Sequence, residues 1–180
     1  MIHIFGASGS GTTTLGRELS RLLGFRLLDT DDFYWMPTDP KFTVKRPPEQ
    51  RVELMREELL KPGSAVVSGS LMGWGDPLIP FFTLAVRLQT DTDLRIRRLM
   101  QRERQEFGQR INPGGDMYQN HQDFLDYARG YDAGGMEMRS KKKHDFWQEK
   151  LTCPLVVLNG GDSLEQNAAA VLMALKQTQR

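Results

Sequence analysis

The first fourteen residues constrain this chain more than any other stretch. Met1–Phe5 (MIHIF) is a short apolar run, and Thr12–Leu23 carries Leu15, Leu19, Leu22 and Leu23 on one helical face. Between them lies Gly6-Ala7-Ser8-Gly9-Ser10-Gly11-Thr12-Thr13. A strand, a glycine-rich turn and a helix in succession are the setting of the phosphate-loop pattern G-x-x-x-x-G-K-[ST]. The outer glycines, Gly6 and Gly11, have the right spacing, and Thr13 fills the hydroxyl position. Thr12 stands where the pattern has lysine. Glycine lets consecutive backbone N–H groups turn toward one anion, and the helix dipole adds positive potential there. Neither effect needs a lysine. What its absence removes is a charge-assisted hydrogen bond of roughly 1.5–3 kcal/mol. The expectation is a phosphate site on Gly6, Ala7, Ser8, Gly9, Ser10, Gly11, Thr12, Thr13 and Thr14, with the Thr13 hydroxyl as a Mg²⁺ ligand.

The rest of the chain repeats the alternation. Strands are expected at Phe25–Leu28, Ala65–Val67, Thr83–Leu88 and Leu155–Leu158. Helices are expected after Pro47-Pro48 (Val52, Met55 and Leu59 inside), from Asp91 (Ile96, Leu99 and Met100 inside), over Gln119–Ala128, and over a last stripe of Leu164, Ala168, Val171, Leu172 and Leu175. Thr30–Pro48 reads as a loop. Short apolar strands between amphipathic helices predict a parallel sheet with helices on both faces, and ligands in such folds sit at the carboxyl ends of the strands. One domain over residues 1–180 is expected, with residues 108–150 as a lid-like helical segment.

Composition narrows the function classes. Lys plus Arg is 24 against 23 Asp plus Glu, a net charge of +1, which argues against a nucleic-acid binder or a membrane-surface protein. No apolar run approaches the ~20 residues of a membrane span, and no secretory signal is evident. A single cysteine, Cys153, leaves no internal disulfide. A cytoplasmic protein, monomer or homodimer, is the expectation.

The strand-end rule singles out further residues. Asp29, Asp31 and Asp32 form a carboxylate cluster after the second strand. Asp31 is the candidate base for an acceptor, with Asp29 and Asp32 beside the substrate; turn and cap roles are the structural alternative. Tyr34 and Trp35 would line an acceptor pocket or form a small satellite core. Ser70, and Trp74 between Gly73 and Gly75, follow the third strand as further substrate contacts, or Trp74 caps the sheet. Arg98 and Arg102 are four apart on one helix face and suit a transferring phosphoryl group. Arg139 and Lys141-Lys142-Lys143 read as solvated surface or a lid cation. His3 reads as a core histidine, and His121 and His144 lack partners at metal spacing.

The succession GASGSGTTTLG, LLDTDDFYW, VVSGS, RRLMQRER resembles the adenylate-kinase-like branch of P-loop kinases, which includes nucleoside monophosphate, shikimate and gluconate kinases. The resemblance runs through nearly the whole chain in motif order. It implies a three-layer α/β fold with a five-stranded parallel sheet of order 2-3-1-4-5, ATP and Mg²⁺ as donor and cofactor, and a small-molecule or nucleotide acceptor. It places the acceptor region on Asp29, Asp31 and Asp32 and the lid arginines on Arg98 and Arg102. Two departures stand out: Thr12 for lysine, and Ser68-Gly69-Ser70 where many nucleotide kinases have Asp-Gly and gluconate-kinase-like members have serine. Thr12 also allows a nucleotide-binding regulatory module with little turnover. Ser10-Gly11-Thr12-Thr13 further resembles the phosphosulfate loop of sulfotransferases, where S-G-T-T follows a lysine; Gly9 stands there.

Overall fold

A computed structural model describes residues 1–178. Five strands, β1 (Ile2–Gly6), β2 (Arg26–Asp29), β3 (Ala65–Ser68), β4 (Leu84–Gln89) and β5 (Leu155–Asn159), form one parallel sheet in the order β2-β3-β1-β4-β5. This is the expected order. β1, β3 and most of β4 are buried on both faces, which is why they read as continuous apolar runs. Alternation along β1 divides the core. Ile2 and Ile4 point to the face covered by helices α1 (Thr12–Leu23) and α7 (Leu164–Thr178), among Leu15, Leu19 and Val171. Phe5 points to the other face, with Met55 and Leu59 of α3 (Pro48–Leu60) and Trp147 of α6 (Lys141–Gln148). His3 shares this second face, stacked on Phe82, and burial pushes its pKa down to about 4. Leu19 is fully buried, so Leu19→Ala costs about 2–5 kcal/mol. Among the described residues no helix is long and apolar enough to cross a membrane.

Strand pairing aligns the carboxyl ends. Asp29 pairs with Ser68, Ser68 with Ile4, and Gly6 with Leu88. The turns leaving β1, β2 and β3 therefore open on the same edge.

Four expectations are corrected. The Thr30–Pro48 loop begins with a five-residue helix, α2 (Thr30–Tyr34), because Asp29 caps it by accepting from the Asp31 N–H at 3.1 Å. The triple lysine opens α6, whose Ser140 side chain accepts from the Lys143 N–H and whose His144 and Trp147, three apart, face the core. In α4 (Thr92–Phe107) Met100 is 45% exposed, and the buried stripe instead includes Arg95 and Glu103, each hydrogen-bonded inside. In α7 Leu172 is only half-buried, and Asn167 takes a buried place by donating to the Asn159 carbonyl at 3.0 Å. Residues 108–150 are helical in α5 (Tyr118–Arg129) and α6, with a 3-10 turn over Gly108–Ile111.

Candidate active site

The turn from β1 into α1 takes its shape from two glycines. Gly9 and Gly11 have φ of 80° and 102°, left-handed values that disfavour any side chain. A Cβ on Gly9 would lie 2.6 Å from the Arg95 carbonyl oxygen, so the loop sits directly on α4. The Ser10 carbonyl accepts from the Thr90 hydroxyl at 3.2 Å and from Arg98 Nη1 at 3.4 Å. Helices α2, α4 and α6 each begin with a side chain, Asp29, Asp91 or Ser140, that caps the first turn. α1 has no side-chain cap and no acidic residue in its first turn. Its leading N–H groups and its dipole are left for something outside the chain.

Asp29 links this loop to α2. Its Oδ2 accepts from the Thr13 hydroxyl at 2.9 Å, while Oδ1 caps Asp31. A carboxylate and a hydroxyl, both hard oxygen donors, thus meet beside the α1 N-terminus, a donor set that fits Mg²⁺. Two protein oxygens suffice for an ion that keeps several waters and takes further oxygens from phosphates. Asp31 lies one step further along. Burial, and then the negative charge of Asp29, raise its pKa above the usual carboxylate range, while Arg139 and Arg102 pull it back. Asp32 is raised by the same two causes but is exposed.

Asp31 opens into a cavity of about 520 Å³ that also holds Ser8 of the loop, Tyr34, Trp35, Arg102 and Arg139. Arg102 is 55% exposed, 3.9 Å from Glu103 and 5.8 Å above the Phe124 ring. The half-buried Arg139 donates its backbone N–H to the Tyr127 hydroxyl at 2.8 Å, and among the described residues no carboxylate pairs with its guanidinium. The cavity therefore carries a half-buried carboxyl group, two arginines open to an anion, and Ser8 of the glycine-rich loop.

Other expected residues lie elsewhere. Arg98 does not face this cavity; its guanidinium ties Ser10 to the Gly160 carbonyl at 3.0 Å, bracing the loop against the turn after β5. Ser70 is buried and hydrogen-bonds His144 Nε2 at 3.0 Å, while His144 Nδ1 meets the Tyr131 hydroxyl at 2.7 Å. Burial, then Arg139 and Arg87, push the His144 pKa down to about 3, so the ring is neutral and donates through one nitrogen only. Trp74 is 7% exposed in the core, its indole N–H donating to the Ser70 carbonyl at 3.3 Å. The sheet-capping alternative describes Trp74. Thr12 and Thr14 follow Gly11 in the first turn of α1. Sequence reasoning missed Lys45, Glu103 and Tyr127 as wall residues and left Arg139 open between solvated surface and a lid cation. A second cavity, of about 530 Å³, lies between the ends of β4 and β5 and α6; of the candidate site residues it touches Ala7 and Lys141.

Residues 2–119 match the family model described as an AAA domain. The chain belongs to the AAA-domain family. A Bacillus subtilis protein, YqaC, described as uncharacterized, is 40% identical over 171 residues, covering 95% of this chain and 94% of its own. The cytidylate kinase of Pyrobaculum islandicum is 29% identical over 117 residues, covering 59% of this chain and 62% of that one. In three dimensions the shikimate kinase of Bacteroides thetaiotaomicron superposes with a TM-score of 0.60 at 17% identity, covering 97% of both chains. This AAA-domain protein thus has the fold of the P-loop small-molecule kinases.

Proposed function

We propose that this AAA-domain protein is a cytoplasmic, ATP-dependent phosphotransferase that moves the γ-phosphoryl group of ATP to a small-molecule or nucleotide acceptor. One observation carries the reading: Asp31, Arg102, Arg139 and Ser8, which leads into the uncapped α1 N-terminus, line one cavity. The N–H groups of the loop and of the α1 first turn hold the donor phosphates. Thr13 and Asp29 would hold Mg²⁺, which would supply positive charge against the donor phosphates. Arg102 and Arg139 face the transferring group and supply the positive charge that Thr12 does not. Asp31 receives the acceptor proton as the new O–P bond forms and the bond from Pγ to the bridging oxygen breaks, leaving ADP. Its raised pKa suits a base, because a carboxylate that is harder to ionise takes a proton more readily. The rest is positioning.

Calorimetric titration with ATP, with and without Mg²⁺, tests the reading. Saturable binding that strengthens with Mg²⁺ and weakens in Thr13→Ala is the expected result. No binding at millimolar ATP would overturn it. Binding without transfer to any acceptor would make the chain a nucleotide-binding module, the role Thr12 favours.

A further inference from the structure

The walls of the cavity say more about the acceptor than its mouth does. Trp35, Phe42 and Phe107 form a chain of rings, with centroids 6.1 Å apart for Trp35–Phe42 and 6.4 Å for Phe42–Phe107, both T-shaped. All three line the cavity. A satellite core would cover such rings, yet Phe42 is 37% exposed. Its backbone has φ 63°, left-handed and strained for a non-glycine residue. The hairpin holds it there through Met36 N–H to the Val44 carbonyl and Arg46 N–H to the Tyr34 carbonyl, both 2.8 Å. A phenylalanine held in this strained conformation in the cavity wall offers its exposed ring to a ring-shaped ligand.

The charges point the same way. Three cationic side chains in the lining, Lys45, Arg102 and Arg139, face three acidic ones, Asp31, Glu103 and Asp123. The donor phosphates already need the two arginines. A second phosphate, on the acceptor, would bring its charge beside Asp31, Asp29 and Asp32 with Lys45 alone left to balance it. A hydroxyl beside Asp31 adds no charge and gives the carboxylate a proton to take. Arg102 and Phe107 are five residues apart in α4, a rise of roughly 7–8 Å along the helix, so the charged and the aromatic parts of the wall are distinct.

Resting on the phosphotransferase reading, we propose that the acceptor is an uncharged hydroxyl compound on a planar aromatic or heteroaromatic body, its ring against Trp35, Phe42 and Phe107 and its hydroxyl beside Asp31. In the step, the hydroxyl oxygen bonds to Pγ, its proton passes to the Asp31 carboxylate, and ADP departs with the bridging oxygen.

The test follows radiolabelled phosphate from ATP into three acceptor sets: ribonucleosides and hydroxymethyl-pyridines, nucleoside monophosphates, and sugar acids. Transfer to members of the first set is expected. Trp35→Ala should raise acceptor KM about tenfold with kcat and MgATP affinity little changed, and Trp35→Phe should restore it, since one stacking contact contributes on that scale. MgATP that binds while phosphate goes only to sugar acids or monophosphates, or to none of the three sets, overturns the acceptor class. So does a Trp35→Ala enzyme with an unchanged KM. MgATP that does not bind overturns the phosphotransferase reading instead, so the two failures are told apart.

Discussion

Arg87 and Arg95 differ from Arg102 and Arg139 in one respect: their charge is already matched inside the protein. The Arg87 side chain is 2% exposed and meets Asp145 at 2.5 Å and Gln148 Oε1 at 2.6 Å. Arg95, 1% exposed, donates to the Thr90 and Ala128 carbonyls, to Thr92 Oγ1 and to Asp132. Arg102 and Arg139 have no such shells and face Asp31 across a cavity. A guanidinium surrounded by acceptors is part of the scaffold. One left open beside the glycine-rich loop is available to a ligand, and in the proposed function it meets the donor phosphates. On helix α4 both kinds occur seven residues apart, so composition alone could not have separated them.

Asp31 gives the largest expected effect. Asp31→Asn should lower kcat by about 10²–10⁴-fold while leaving MgATP binding intact, measured by transfer assay and calorimetry. Because its folded pKa is raised above the unfolded value, Asp31 contributes stability below the unfolded pKa and loses it as pH rises through the folded one. At neutral pH the ionised group therefore destabilises the fold, and Asp31→Asn should raise Tm. For the same reason the acid limb of kcat/KM should lie above the ordinary carboxylate range. An Asn variant that loses both activity and stability would make Asp31 structural.

Arg95→Ala should act on stability first. It leaves the Thr90 carbonyl without its side-chain donor in the interior, at about 1–3 kcal/mol, and the Ala128 carbonyl with backbone N–H donors alone, so a total of roughly 2–4 kcal/mol is expected in urea unfolding. Arg139→Ala should do the opposite: a Tm within a few degrees of the parent and kcat about 10²-fold lower. Adding Thr12→Lys to Arg139→Ala should return part of that loss if the two positions serve the same phosphates. A double variant no better than Arg139→Ala would give Arg139 to the acceptor instead.

The difference between the arginines also marks where the chain could be read in advance. The β1–loop–α1 unit was legible because strand, glycines and helix are adjacent in sequence and each signal is local. The sheet order followed from the family resemblance. Asp29 was ambiguous between cap and site, and it does both: one oxygen caps α2 and the other holds Thr13. Ser70 and Trp74 follow a strand end, which favours ligands, yet they turn inward, because His144 and the Ser70 carbonyl satisfy their polar atoms there. Helix α6 hid behind three lysines, since only His144 and Trp147 report its buried face. Arg139 stayed ambiguous between surface and lid cation, because nothing periodic in an irregular connection says where its side chain lands.

The smallest expected effect is also the sharpest probe of how Arg95 is neutralised. Asp132 pairs with it at 3.0 Å but is itself 51% exposed. If the carboxylate balanced the buried charge, removing it would cost about 3–5 kcal/mol, as for a fully buried pair. If the pair behaved as a surface contact, the loss would be about 0–1 kcal/mol and would fade with salt. Arg95 keeps two carbonyls and a hydroxyl as neutral acceptors, and an asparagine still offers an oxygen at the old position. Asp132→Asn should therefore cost about 1–2 kcal/mol in urea unfolding, between the two limits and only weakly dependent on ionic strength. A loss of 3 kcal/mol or more would mean that the carboxylate, and not the carbonyl shell, makes the burial of Arg95 possible, and the line between scaffold and ligand arginines would then rest on ion pairing alone.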